Sequence, residues 1–104
     1  MDKLSKLRHF VERKPDDPFP LYGLAMEYKR LERLEEALQS FSELARRFPD
    51  YTPTYFHYAG TLVRAGLEEE AQEVYRRGIE VAGSNGDAHA QEELQAAMEE
   101  IAED

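Results

Sequence analysis

A chain whose residues return at a fixed interval must make the same contacts in every copy, and this limits its fold more than any single residue does. Here the interval is 34 residues. Ala25 returns as Ala59 and Ala37 as Ala71, while Leu21 and Tyr55, Tyr22 and Phe56, and Phe41 and Tyr75 pair as bulky apolar residues. Pro15-Asp16 falls on Pro49-Asp50, Arg30 on Arg64, and Glu36-Ala37 on Glu70-Ala71. A period of this length marks a stacked helical array, in which each copy buries its apolar face only against its neighbours. Such an array presents a surface to a partner and does not enclose a catalytic pocket.

Within each period the apolar spacing is helical. Leu4, Leu7, Phe10 and Val11 predict a helix over 3–13, which Pro15 stops. Asp16-Asp17-Pro18 reads as a turn with an Asp placed to cap the next helix, and Pro20 is tolerated in its first turn. Further helices are predicted over 18–31, 34–48, 52–65, 68–82 and 87–102. Gly66 suits the exit from a helix because it takes a positive φ, and Gly83-Ser84-Asn85-Gly86 reads as a flexible turn. No segment alternates as a strand would. The expected fold is all-α: about six helices in an array of antiparallel pairs, forming one domain over 1–104. The period places repeats over 18–51 and 52–85, with a helical segment over 3–17 before them and another over 86–104 after them. Ala25 is expected to face Ala37, and Ala59 to face Ala71, because helices approach closely only past small side chains.

Charge and composition narrow the partners. The 22 acidic and 13 basic side chains give a net charge of −9, and no Lys or Arg occurs from Ser84 onward. Such a balance repels phosphate backbones and anionic membranes, so neither nucleic acid nor membrane is expected as a partner. No apolar run is long enough to span a bilayer, and the charged N-terminus does not read as a secretory signal. With no cysteine, disulfides and thiolate metal sites are excluded, which is compatible with the expected cytoplasmic residence.

Leu24-Ala25-x-x-Tyr28 followed by Ala37, Phe41 and Pro49 resembles a tetratricopeptide repeat (TPR), as does Tyr58-Ala59-x-x-Leu62 followed by Gly66, Ala71 and Tyr75. The resemblance covers 18–83 as two repeats, and the whole chain is similar to small stand-alone bacterial TPR proteins. It implies pairs of antiparallel helices stacked in a right-handed superhelix, with 3–17 as the second helix of a preceding half-repeat and 86–104 as the family's terminal capping helix. Several positions depart from the family pattern. Leu21 and Tyr55 stand where Trp is frequent, and Glu32 replaces the turn glycine. Gly78 replaces a small Ala and Gly83 the closing Pro, both expected to loosen the end of the second pair.

The resemblance also implies a site. In the family the first helix of each pair lines a concave face that takes a peptide or a helix of another protein. Its exposed positions are here Phe19, Tyr22, Met26, Lys29 and Arg30, then Pro53, Phe56, Gly60, Val63 and Arg64. They combine apolar ground with three bases and suit a ligand with a hydrophobic anchor beside an acid. The bland alternative has Tyr22 and Phe56 packing on each other, with Arg30 and Arg64 only complementing helix ends. Some TPR proteins grip a peptide C-terminus through Lys and Asn, but Tyr22, Met26, Phe56 and Gly60 occupy those places, so that clamp is not expected.

A second reading is self-association of this chain into a homo-oligomer through its end helices. Leu94, Met98 and Ile101 at one end would meet Leu4, Leu7 and Phe10 at the other. No enzyme is expected, and no cofactor or metal. His9, His57 and His89 lack ligand spacing, and His57 reads as a surface or edge histidine beside the groove. The glycine turn lacks the Lys-Ser/Thr of a phosphate loop.

Overall fold

The computed structural model describes residues 2–102. Six helices are found among the described residues, and no strand: α1 Lys3–Arg13, α2 Pro18–Arg30, α3 Leu34–Arg47, α4 Pro53–Arg64, α5 Glu68–Ser84 and α6 Ala88–Ala102. Each helix packs against its successor, and α2 also meets α4, so the chain stacks into a slab of 43 × 30 × 18 Å. The short loops force successive helices to reverse direction.

Local chemistry sets the helix ends. Asp2 Oδ1 accepts from the Ser5 amide at 2.8 Å and opens α1, and Asp17 Oδ1 accepts from Phe19 at 3.0 Å and opens α2. Prolines occupy the first turns of α2 and α4, where an amide has no helical partner. α3 and α5 lack a side-chain cap but begin with Glu35-Glu36 and Glu68-Glu69-Glu70, whose charges suit the positive end of the helix dipole.

Three turns share one backbone form. Glu32, Gly66 and Gly86 sit at φ +59°, +81° and +72°. The following amides of Arg33, Leu67 and Asp87 each reach back five residues, to Tyr28, Leu62 and Ala82, at 2.9 Å. This is the Schellman arrangement, which favours glycine. Glu32 adopts it without glycine's freedom.

The repeated small residues lie inside the core. Ala25, Ala37, Ala59 and Ala71 are all completely buried. They belong to two clusters, one centred on Phe41 and Leu44 and the other on Tyr55 and Leu94. Tyr58 packs against both and stacks on Phe41 with ring centroids 6.0 Å apart. α1 is tied down by Arg8 Nη2, which donates to the Tyr28 hydroxyl at 2.7 Å.

The second pair ends differently from the sequence expectation. α5 runs 17 residues against 14 for α3, so Gly83 and Ser84 are helical and the turn is confined to Asn85-Gly86. Gly78 does not loosen this end. A Cβ there would lie 2.5 Å from Tyr55 Cβ and 3.2 Å from Leu94 Cδ1, so its bare backbone lets α5 approach both α4 and α6. Leu94 is buried, with Met98 and Ile101 packed around the same cluster. α6 therefore spends its apolar stripe on the array and turns Glu92, Gln95 and Glu99 outward.

Candidate functional site

α2 and α4, the first helices of the two pairs, carry every residue expected on the concave face. The structure divides them into two groups. Phe19, Tyr22 and Phe56 belong to an aromatic row, in which His57 is the link. Phe19 stacks on Tyr22 at 6.4 Å, Tyr22 meets the His57 ring edge-on at 5.9 Å, and His57 meets Phe56 at 5.5 Å. Tyr51, from the loop between the pairs, closes the row against Tyr22 at 5.8 Å. Phe19 and Phe56 remain 65% and 40% exposed, which leaves aromatic surface facing solvent.

The second group is Met26, Lys29, Arg30 and Arg64. They line an open pocket of about 500 Å³, together with Glu32 and with Lys3 and Leu7 of α1. Val63 lies outside both groups and packs on the second core cluster. Pro53 and Phe56 instead face a smaller pocket of about 240 Å³ shared with Asp87 and Glu93 near α6. The face therefore runs from a basic pocket, across the aromatic row, to an acidic one. A Cβ added at Gly60 would meet nothing within 4 Å, so the floor between the groups is open.

Electrostatics distinguish the three bases. Arg30 donates from Nε and Nη2 to the two carboxylate oxygens of Glu27, at 2.9 and 2.7 Å. Arg64 donates to the Glu32 carboxylate. Lys29 instead lies with Nζ 3.3 Å from His57 Nδ1, and no carboxylate of the described residues pairs with it. Burial lowers the Lys29 pKa, and the nearby Arg64 charge lowers it further. Burial lowers His57 as well, reinforced by the Lys29 charge, so the imidazole is neutral at pH 7 and offers Nδ1 as acceptor.

Two residues of this site escaped the sequence reading. His57 is not an edge histidine; it is half-buried in the row. Its period partner is Gly23, so the repeat gave no hint of it. Glu27 is only 5% exposed, and Lys3 joins Arg30 beside it at 3.4 Å. Its signal was an acid inside the stripe Leu24, Ala25, Tyr28 with an arginine three residues on. Among the described residues no group of three or more His, Asp or Glu could hold a metal ion, and no helix is long and apolar enough to cross a membrane.

Comparison with known proteins sets this geometry in context. The sequence pattern of the tetratricopeptide repeat matches residues 20–51 and 52–85. A TPR repeat-containing protein of Bacillus subtilis, YpiA, is 31% identical over 85 residues, covering 82% of this chain and 19% of its own length. The chain thus spans about a fifth of that relative. The solution structure of a tetratricopeptide repeat domain protein from Salinibacter ruber superposes with a TM-score of 0.79 at 37% identity, over 84% of this chain and 88% of that one. PcrH, in complex with the chaperone binding region of PopD, superposes at 0.86 over 95% of this chain and 75% of its own, at 19% identity. That last likeness is one of fold alone.

Proposed function

The chain belongs to the tetratricopeptide repeat family, and from that premise we propose that it is a cytoplasmic protein-interaction module whose concave face takes a peptide or helix of a partner protein. The observation that carries the reading is Lys29, a cation at the edge of an aromatic row whose neighbour is the His57 ring at 3.3 Å and which no carboxylate of the described residues pairs. Arg30 and Arg64 are already engaged by Glu27 and Glu32. A ligand carboxylate therefore finds its strongest unmet partner in Lys29, and a neighbouring apolar side chain reaches Tyr22 and Phe56. PcrH, with the same fold, is in complex with a segment of another protein, and a protein segment is the class of ligand adopted here.

Self-association through both end helices is less well supported. It needs Leu94, Met98 and Ile101 on an outer surface, and those side chains are occupied within the array.

Selection of peptides on the immobilised chain tests the proposal. The selected sequences are expected to place Asp or Glu beside a bulky apolar residue. Tyr22→Ala, Phe56→Ala and Lys29→Glu are each expected to weaken them by about tenfold, or about 1.4 kcal/mol. Selected peptides that bind all three variants as tightly as the parent chain would remove the concave face from consideration.

A further inference from the structure

α1 has the register of the second helix of a pair, and the face that such a helix turns to its first helix is uncovered among the described residues. The internal period shows what that leaves open. Leu7 and Phe10 correspond to Phe41 and Leu44, which are completely buried in the cluster that α2 covers with Leu21, Leu24 and Tyr28. Phe10, by contrast, is 49% exposed, and α1 contains no buried residue at all. The pocket of about 500 Å³ continues along this edge, from Lys3 and Leu7 to Gly23 and Met26. Gly23 keeps the crease narrow, since a Cβ there would stand 3.3 Å from Leu7 Cδ2.

Charge decides what fits. Lys3, Lys29, Arg30 and Arg64 line the crease, and the two acids that share it, Glu27 and Glu32, are already paired with bases. A second copy would bring either the same basic α1 or the polar outward face of α6, which carries Glu92 and Glu99 but no apolar stripe. The first repels the basic rim, and the second matches the rim but leaves the apolar centre uncovered. We propose that the α1–α2 edge is a docking slot for an acidic amphipathic helix of a partner protein, which lies on α1 as α2 lies on α3. Its apolar stripe covers Leu7 and Phe10, and its acids meet Lys3 and Arg30, two cations that share the single carboxylate of Glu27 and so keep an excess of positive charge. Lys3 stands where the next pair has Ala37, so a charge pair replaces the close backbone approach made there. This slot shares Met26 and Arg30 with the basic pocket of the concave face, but it turns on Leu7 and Phe10 of α1 and not on the aromatic row of Tyr22 and Phe56.

The probe is a synthetic peptide copying residues 17–31 with Lys29→Glu and Arg30→Glu, a first helix of this array made acidic. It is titrated to millimolar concentration against the isotope-labelled chain and followed by NMR. The expected result is shifts at Leu7, Phe10, Gly23 and Met26. Binding should weaken at least about tenfold in Phe10→Glu and again in Lys3→Gln, which removes a charge at a side chain 68% exposed without setting a second carboxylate beside Glu27. Phe56→Ala should leave it unchanged. Three outcomes overturn the proposal: no binding at millimolar peptide, binding sensitive to Phe56→Ala but not to Phe10→Glu, or a dimer of the chain alone that Phe10→Glu disperses. The second would return the probe to the concave face, and the third would assign the slot to a second copy.

Discussion

Glu27 is a carboxylate in a place where α2 otherwise offers Leu24, Ala25 and Tyr28 to the core. Its burial favours the neutral acid, yet its pKa is held at about 2 rather than 4.5. Hydrogen bonds from Arg30 dominate, with the charges of Arg30 and Lys3 adding to them. A folded-state pKa below the unfolded one means that the unfolded chain binds the proton more readily. The contribution of Glu27 to stability is then complete above about pH 4.5 and fades as pH falls toward 2. Glu27→Gln should lower the unfolding midpoint at pH 7, because Arg30 loses its charged partner. It should also flatten the decline of that midpoint between pH 4.5 and 2. Parallel acid slopes for parent and variant in thermal unfolding would refute this pairing.

At the scale of the helix, two glycines with the same local cost have opposite surroundings. Gly60 in α4 and Gly78 in α5 both lie inside helices, where alanine is favoured by about 1 kcal/mol. At Gly60 nothing opposes that gain, because the new methyl meets open space. At Gly78 the methyl would press on Tyr55 Cβ at 2.5 Å, next to the backbone of α4, where overpacking costs about 1–3 kcal/mol. Gly60→Ala should therefore raise stability and Gly78→Ala lower it in urea denaturation. The same sign for both would contradict the packing of α5 on α4. The contrast also shows what the sequence made legible. Ala25, Ala37, Ala59 and Ala71 recur because the core demands it, and their period gave the helices and their pairing. Gly78, Glu27 and His57 do not recur: their partners one period away are Leu44, Thr61 and Gly23. Each answers to one local contact, so the period revealed neither the close approach at Gly78 nor the two residues, Glu27 and His57, that order the site. The groove positions Phe19, Tyr22 and Phe56 came from family resemblance, and the link that His57 makes between Tyr22 and Phe56 came only from three dimensions.

Across the whole molecule, stability in a stacked array is close to a sum of neighbour contacts, so the ends and the middle differ. α3 and α4 sit between packed helices on both sides and share the Phe41–Tyr58 stack. α1 touches α2 and buries no residue of its own, whereas α6 contributes Leu94 to the core. Native-state hydrogen exchange should rank the amides accordingly: fastest in α1, slower in α6, slowest in α3 and α4. Protection in α1 equal to that in α3 would show that a contact at this end has been overlooked. The paired helices also separate two tasks. The two repeats keep the same small residues where they pack, while outward positions differ: Met26 stands where the second repeat has Gly60, and Lys29 where it has Val63, with Ala25 still matched by Ala59. Recognition in such an array is free to specialise one copy at a time, because the residues that face a partner are not those that hold the copies together.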